Sequence, residues 1–343
     1  MKRYFALLLA LAMCLSLVGC KDKAEGNNNG NDEPVGPSPS GPSVPDTEDD
    51  GPDTKPDDGP DTTPDDGPVE APRVKLGVLM DSAALGAAGL AESGRYDVRV
   101  GDEQMLADLA GGALDGAIVP VSSAVKAYNE TDGKIQIAAI TASGGWVLVE
   151  RGDSVKDIFG LVNRTVYLPT GYDAAARIFE HVTGEYGYIV GDTLDVRYAD
   201  ADTLAEADLA LMPSMLAGRT IVRDAGARIA LDLQEQWTYL TDESFLPAAC
   251  LAVSSGTDDE TLSTLLADLK RSQEEVSDHL EAAVAMGLAS NQEEAWAALE
   301  GCKLIWAEGA DVLREELAQY LSALYDLDPA LIGGFIPDDG FYR

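Results

Sequence analysis

The sequence predicts an α/β protein of two lobes joined by two chain crossings, carried behind a leader and an acidic tether and finished by a C-terminal helical segment. Three observations lead there. Short β-branched apolar runs alternate with helical patterns after residue 73, the alternation restarts near residue 146, and residues 21–71 hold almost no aliphatic side chain able to bury surface. Such alternation argues for mostly parallel sheets covered on both faces.

Residues 1–19 have the layout of a secretory signal: Lys2 and Arg3, an apolar stretch over 4–18, then Gly19 before Cys20. The stretch is shorter than the roughly 20 residues of a membrane-spanning helix. Leu17, Val18, Gly19 and Cys20 resemble the lipobox of bacterial lipoproteins, which implies a diacylglyceryl-modified Cys20 at the mature N-terminus. Residues 20–72 are then expected to form a disordered tether, because their Asn, Gly, Pro, Asp, Ser and Thr cannot offset the entropy of ordering. Within it GPDTKPDD (51–58) is followed by GPDTTPDD (59–66). Proline and mutual carboxylate repulsion extend such a chain, so about 50 residues reach on the order of 150 Å. The repeat lacks the twelve-residue loop ending in Glu that a tight calcium site uses.

A formal charge of −36 excludes nucleic acid as a partner. With Cys14 in the leader and Cys20 at the anchor, Cys250 and Cys302 remain, each in an apolar setting (PAACLAV and LEGCKLIW). Their spacing leaves open a disulfide or two buried thiols. The chain has no CxxC, and His181 and His279 are its two histidines, so neither a metal site nor a cofactor is expected.

The first lobe is assigned to residues 73–145 and 238–343, the second to 146–237. Strands are expected at 74–80, 96–101, 115–120 and 134–140, with the helical pattern Met105, Leu106, Leu109 and Leu114 before the third. The second series begins after GGWVLVE (144–150), with a helix starting near Asp153 and Ser154, a strand at 164–169 and a helix at 172–182. Strands at 193–199 and 207–213, a short helix after Pro213 and a strand at 228–233 complete it. A returning strand at 248–254 leads into helices at 259–286, 292–299 and 309–325, the first with Leu262, Leu265, Leu266 and Leu269 on one face. Crossings near 142–150 and 236–250 leave a cleft between the lobes. Open α/β sheets bind ligands outside the carboxyl ends of their strands, and hinge closure around a ligand suits this layout.

The segments LDGAIVPVSSAVKAYNETDGKIQIAAI (114–140), LALMPSMLA (209–217) and YLSALYDLDPALIGGFIPDDGFY (320–342) carry a resemblance that spans residues 74–342. The chain resembles the lipoprotein substrate-binding proteins of ABC transporters, in the nitrate, sulfonate, taurine and thiamine-precursor group. That resemblance implies a two-lobed, periplasmic-binding-protein-like (type II) clamp without enzymatic activity. It further implies a monomer, lipid-anchored on the extracytoplasmic face, that delivers a small molecule to an ABC permease and its ATPase. Members of the group hold ligand with the turns after their strands. Here those turns supply Met80, Asp81 and Ser82; Ser122 and Ser123; Thr141, Ser143, Gly144 and Trp146; Thr170, Gly171, Tyr172 and Asp173; and Ser214 and Met215.

Each turn offers backbone N–H groups at a helix N-terminus with hydroxyls beside them. At Ser122 and Thr170 simple helix capping is the competing role. None of the five turns contains Arg or Lys, and Asp173 at a helix start would repel an anion. A neutral or cationic heteroaromatic ligand is therefore expected, with Tyr172 and Trp146 as stacking walls and Asp81 or Asp173 as counter-charges. Two other functions fit the chain: a tethered sensing or interaction module, and an enzyme of the menaquinone- or pyrimidine-synthase-like branch. No GxSxG elbow is present, and export argues against metabolic catalysis.

Overall fold

Eleven strands fall into two sheets in a computed structural model that describes residues 73–343 except Met80 and Asp242. The leader, Cys20, the tether and Met80 lie outside the described residues. The first sheet draws on β1 (Val74–Leu79), β2 (Tyr96–Gly101), β3 (Gly116–Pro120), β4 (Ile135–Gly144), β10 (Pro247–Ser254) and β11 (Cys302–Glu308). The second is built from β5 (Trp146–Arg151), β6 (Thr165–Pro169), β7 (Asp195–Ala199), β8 (Leu209–Pro213) and β9 (Ala227–Asp232). Their orders are β11-β4-β10-β3-β1-β2 and β7-β6-β8-β5-β9. Over the described residues both lie within one compact unit.

The two sheets repeat one plan. In each, the first two parallel pairings join the opening strands (β1 with β2 and β3, β6 with β7 and β8). Each then receives an antiparallel strand that follows a crossing between lobes, β10 in the first and β5 in the second, and β11 adds a second antiparallel strand at the edge of the first sheet. The sheets are thus mixed, because a chain entering from the other lobe inserts against the run of its new neighbours. The inner strands are buried along almost their whole length, as in GAIVP and WVLVE, whereas the edge strand β2 alternates buried and exposed positions.

Four local expectations change. β4 runs on to Gly144, so Thr141, Ser143 and Gly144 belong to a strand rather than a turn. No helix starts at Asp153: the Glu150 carboxylate accepts the Ser154 and Val155 N–H groups, and the next turn of 3₁₀ helix begins at Ile158 under an Asp157 cap. The helix expected over 259–286 breaks after Asp259–Glu274 into Val276–His279 and Leu280–Ala285, where Val, Ser, Asp and His are weak helix formers. Finally, β11 occupies the segment between the last two helices, Gln292–Ala298 and Ala310–Leu327, bounded by Gly301 and Gly309.

That added strand also decides the cysteines, which are two buried free thiols and not a disulfide. Cys250 pairs with Ile140 of β4 from one side and Cys302 with Gly144 of β4 from the other. Two strand spacings, roughly 9–10 Å, already exceed the Cα separation a disulfide tolerates.

The chain end folds back as a strap on the first lobe. Asn129 donates to the Ile332 and Phe335 carbonyls at 2.6 and 2.7 Å, Phe341 is fully buried against Tyr128, and the Arg343 N–H reaches the Ile137 carbonyl at 3.0 Å. Among the described residues no helix is long and apolar enough to cross a membrane.

Candidate functional site

The strand ends of both sheets face one cleft of about 760 Å³. From the first lobe come Leu79 at the end of β1, Asp81 after it, Gly101 at the end of β2, Pro120 at the end of β3 and Pro247 at the start of β10; from the second come Trp146, Gly171, Tyr172 and Pro213. This is where parallel strands leave their outgoing loops and helix N-termini unpaired, and the volume suits a small organic molecule.

Of the residues expected to meet a ligand, Asp81, Ser122, Ser123, Gly144, Trp146, Gly171, Tyr172 and Asp173 line the cleft. Ser122 and Ser123 lie inside the first turn of the helix Val121–Glu130, whose N-cap is Pro120, so Ser122 is not a cap. Thr170 is exposed and caps nothing, since the helix Asp173–Glu185 starts at Tyr172 without a side-chain cap. Ser82, Thr141, Ser143, Ser214 and Met215 are buried behind the lining. Ser82 and Ser214 share a hydroxyl–hydroxyl hydrogen bond that links the first lobe to the second. β-Branched and small polar residues at a strand end look alike in sequence whichever way the final pleat turns them.

Several lining residues lie beyond the reach of the turn-based reading. Lys126 and Arg177 arrive from within helices, Tyr198 from β7, Asp102 and Glu103 from the segment after β2, and Tyr320, Asp328 and Leu331 from the C-terminal helix and strap. A signal existed for the helical ones: a residue one turn past a strand–helix junction lies on the same face as the first residue of that helix. Nothing local in the sequence marks the strap as a cleft wall.

Electrostatically the cleft is acidic. Asp81, Asp102, Glu103, Asp173 and Asp328 face it against Lys126 and Arg177. Both cations are engaged on their own helices: Arg177 donates to Glu180 at 2.7 Å, and Lys126 lies 4.0 Å from Glu130. Asp81 has no such partner. Its carboxylate accepts the Ser82 N–H, and burial outweighs that bond and pushes its pKa up. The Tyr172 phenol is likewise raised, first by burial and then by the nearby Asp81 and Glu103 carboxylates. Trp146 and Tyr172 meet edge to face, with centroids 5.1 Å apart and planes at 65°, forming an aromatic corner in the cleft that Asp81 also lines. Among the described residues no three His, Cys, Asp or Glu side chains are placed to share a metal ion.

Behind the cleft the lobes are joined tightly. The chain passes from β4 to β5 through Gly144 and Gly145, with φ of 74° and 80°, a conformation that glycine adopts freely. Next to this crossing, the second-lobe helix Ser214–Arg223 packs on the first-lobe helix Gln292–Ala298. A Cβ at Gly218 would come within 2.6 Å of the Ala298 nitrogen, so only glycine permits this approach. Across the same seam the buried Glu294 pairs with Arg223 at 2.9 Å and Arg219 at 3.7 Å and accepts the Ser290 N–H at 3.1 Å. Burial alone would raise the Glu294 pKa, but these Ser290 and Arg223 contacts hold it below the ordinary glutamate value.

No protein-family model and no curated protein matches the sequence. Solved structures do. An ABC transporter structure from Parabacteroides distasonis superposes with a TM-score of 0.68 at 18% identity, over 79% of this chain and 98% of the other. The periplasmic aliphatic sulphonate binding protein SsuA from Escherichia coli gives 0.60 at 12% identity, over 78% and 92%. The ligand-binding component of an ABC-type import system from Staphylococcus aureus gives 0.57 at 9%, over 79% and 96%. With two sheets of one plan, two crossings and a cleft at the strand ends, the chain has the two-lobed α/β fold of the periplasmic binding proteins.

Proposed function

We propose that this protein is a solute-binding protein: it captures a small molecule in the interlobe cleft and delivers it to an ABC importer, without catalysis. The observation that carries the reading is the cleft itself, built from the strand ends of two lobes joined by a double-glycine crossing. Similarity in fold to binding components of import systems supports it. In this reading Cys20 bears the lipid, residues 20–72 give reach, and the clamp works at the extracytoplasmic face of the membrane as a monomer beside its permease and ATPase. A tether raises the local concentration of the clamp near its transporter without any new contact.

Native mass spectrometry of the folded domain purified from its source, followed by small-angle scattering with and without the recovered solute, tests the proposal. A bound small molecule released unchanged, and a contraction on its return, are expected. Release of a chemically altered molecule would mark an enzyme, and a solute that leaves the scattering unchanged would remove the clamp mechanism.

A further inference from the structure

Resting on the solute-binding reading, we propose that the ligand carries an ammonium-type positive charge seated between the Asp81 carboxylate and the Trp146–Tyr172 corner. Four observations lead to it. Asp81 lines the cleft at the first-lobe wall, and its single hydrogen-bond donor is a neighbouring backbone N–H. No described arginine, lysine or histidine forms an ion pair with it, whereas the buried acids among the described residues, Glu150, Asp268 and Glu294, are each paired with arginine. Lys126 and Arg177, which share the cleft, are spent on Glu130 and Glu180. Tyr172 and Trp146 of the second lobe line the same cleft as Asp81 and Glu103 of the first, so closure would bring carboxylates and aromatic faces together.

A carboxylate left in a partly dehydrated cleft without a counter-ion is unfavourable unless something neutralises it. Among the described residues no cation pairs with Asp81 and no cluster of metal ligands is present, so the neutralising charge belongs to an organic ligand. Non-parallel aromatic walls recognise such groups, because each ring can present its electron-rich face to one enclosed cation. Tyr172 is 46% exposed, which leaves it surface for that contact. The uncapped N-terminus of the helix Val121–Glu130, with Ser122 and Ser123, remains on the cleft wall for an acceptor group elsewhere on the same molecule.

Isothermal titration of the domain at pH 7 with matched probes tests this: benzylamine, benzyl alcohol and benzoate; butylamine, butanol and butyrate; and the zwitterion 4-aminobutyrate. The amine of a set, or the zwitterion, is expected to bind at least about tenfold more tightly than its neutral and anionic counterparts. Asp81→Asn, which keeps the capping geometry and removes the charge, is expected to weaken that binding at least about tenfold while leaving circular dichroism unchanged. A tighter alcohol or carboxylate, amines silent to 10 mM, or an Asp81→Asn variant that binds amines within twofold of the wild type would each overturn the proposal. Binding of a neutral or anionic solute with closure would do so while the solute-binding reading stands, and a cleft that takes up no solute of any class would remove both.

Discussion

Glu294 and Asp81 are acids at the same junction between lobes, one behind the cleft and one inside it, and the protein treats them oppositely. Glu294 has two arginines from the facing helix, and its pKa lies low. Asp81 has one backbone N–H, and burial drives its pKa up. The back seam is self-sufficient: its charges are balanced and its helices approach as closely as Gly218 allows. The front is unfinished, with charge and aromatic surface that the chain does not complete. A fold that balances its acids where lobes must stay together, and leaves one unbalanced where a ligand enters, separates the fulcrum from the site.

The strongest way to disturb the contrast is at the fulcrum. Gly218→Val drives a side chain into the Ala298 backbone and is expected to cost about 3 kcal/mol or more, measured by urea unfolding. Glu294→Gln keeps the shape but removes the charge that Arg219 and Arg223 balance, for a loss of roughly 2 kcal/mol, since both arginines stay partly hydrated. The sign with pH follows from the lowered pKa. The contribution of Glu294 is fully present above the ordinary glutamate value and disappears as pH falls through its folded pKa. Wild type and Glu294→Gln should therefore converge in stability in acid and diverge toward neutrality. Within the cleft, Tyr172→Ala is expected to weaken ligand binding by about tenfold, or ~1.4 kcal/mol, with little change in unfolding because the ring is half exposed. Titration calorimetry and thermal melts on the same preparation separate the two effects.

Much of this was legible in the sequence, for identifiable reasons. Strands such as VKLGVL and GAIVP announce themselves as short, nearly continuous apolar runs, and the turns that follow the strands supply Asp81, Trp146 and Tyr172, which line the cleft. Missed features depend on long-range placement. β11 has half-exposed residues on both faces at a sheet edge, without the alternation that marks a strand. Lys126 and Arg177 carry no local sign that their helices aim them at a cleft, nor that Glu130 and Glu180 engage them. The strap that brings Asp328 and Leu331 to the wall is fixed by Asn129, some 200 residues away in the chain. Cys250 and Cys302 could be judged only once β4 was seen to lie between their strands.

The smallest effect bears most directly on the central claim, that Asp81 holds an unbalanced charge reserved for a ligand. Because its folded pKa is raised, its ionised form opposes folding at neutral pH, and that cost is relieved as pH falls through the folded value. Scanning calorimetry of the ligand-free domain at pH 7 should therefore show Asp81→Asn melting above the wild type while Glu294→Gln melts below it. An Asp81→Asn variant that melts below the wild type alongside Glu294→Gln would mean that Asp81 is a structural acid already balanced by the fold, and would contradict the account.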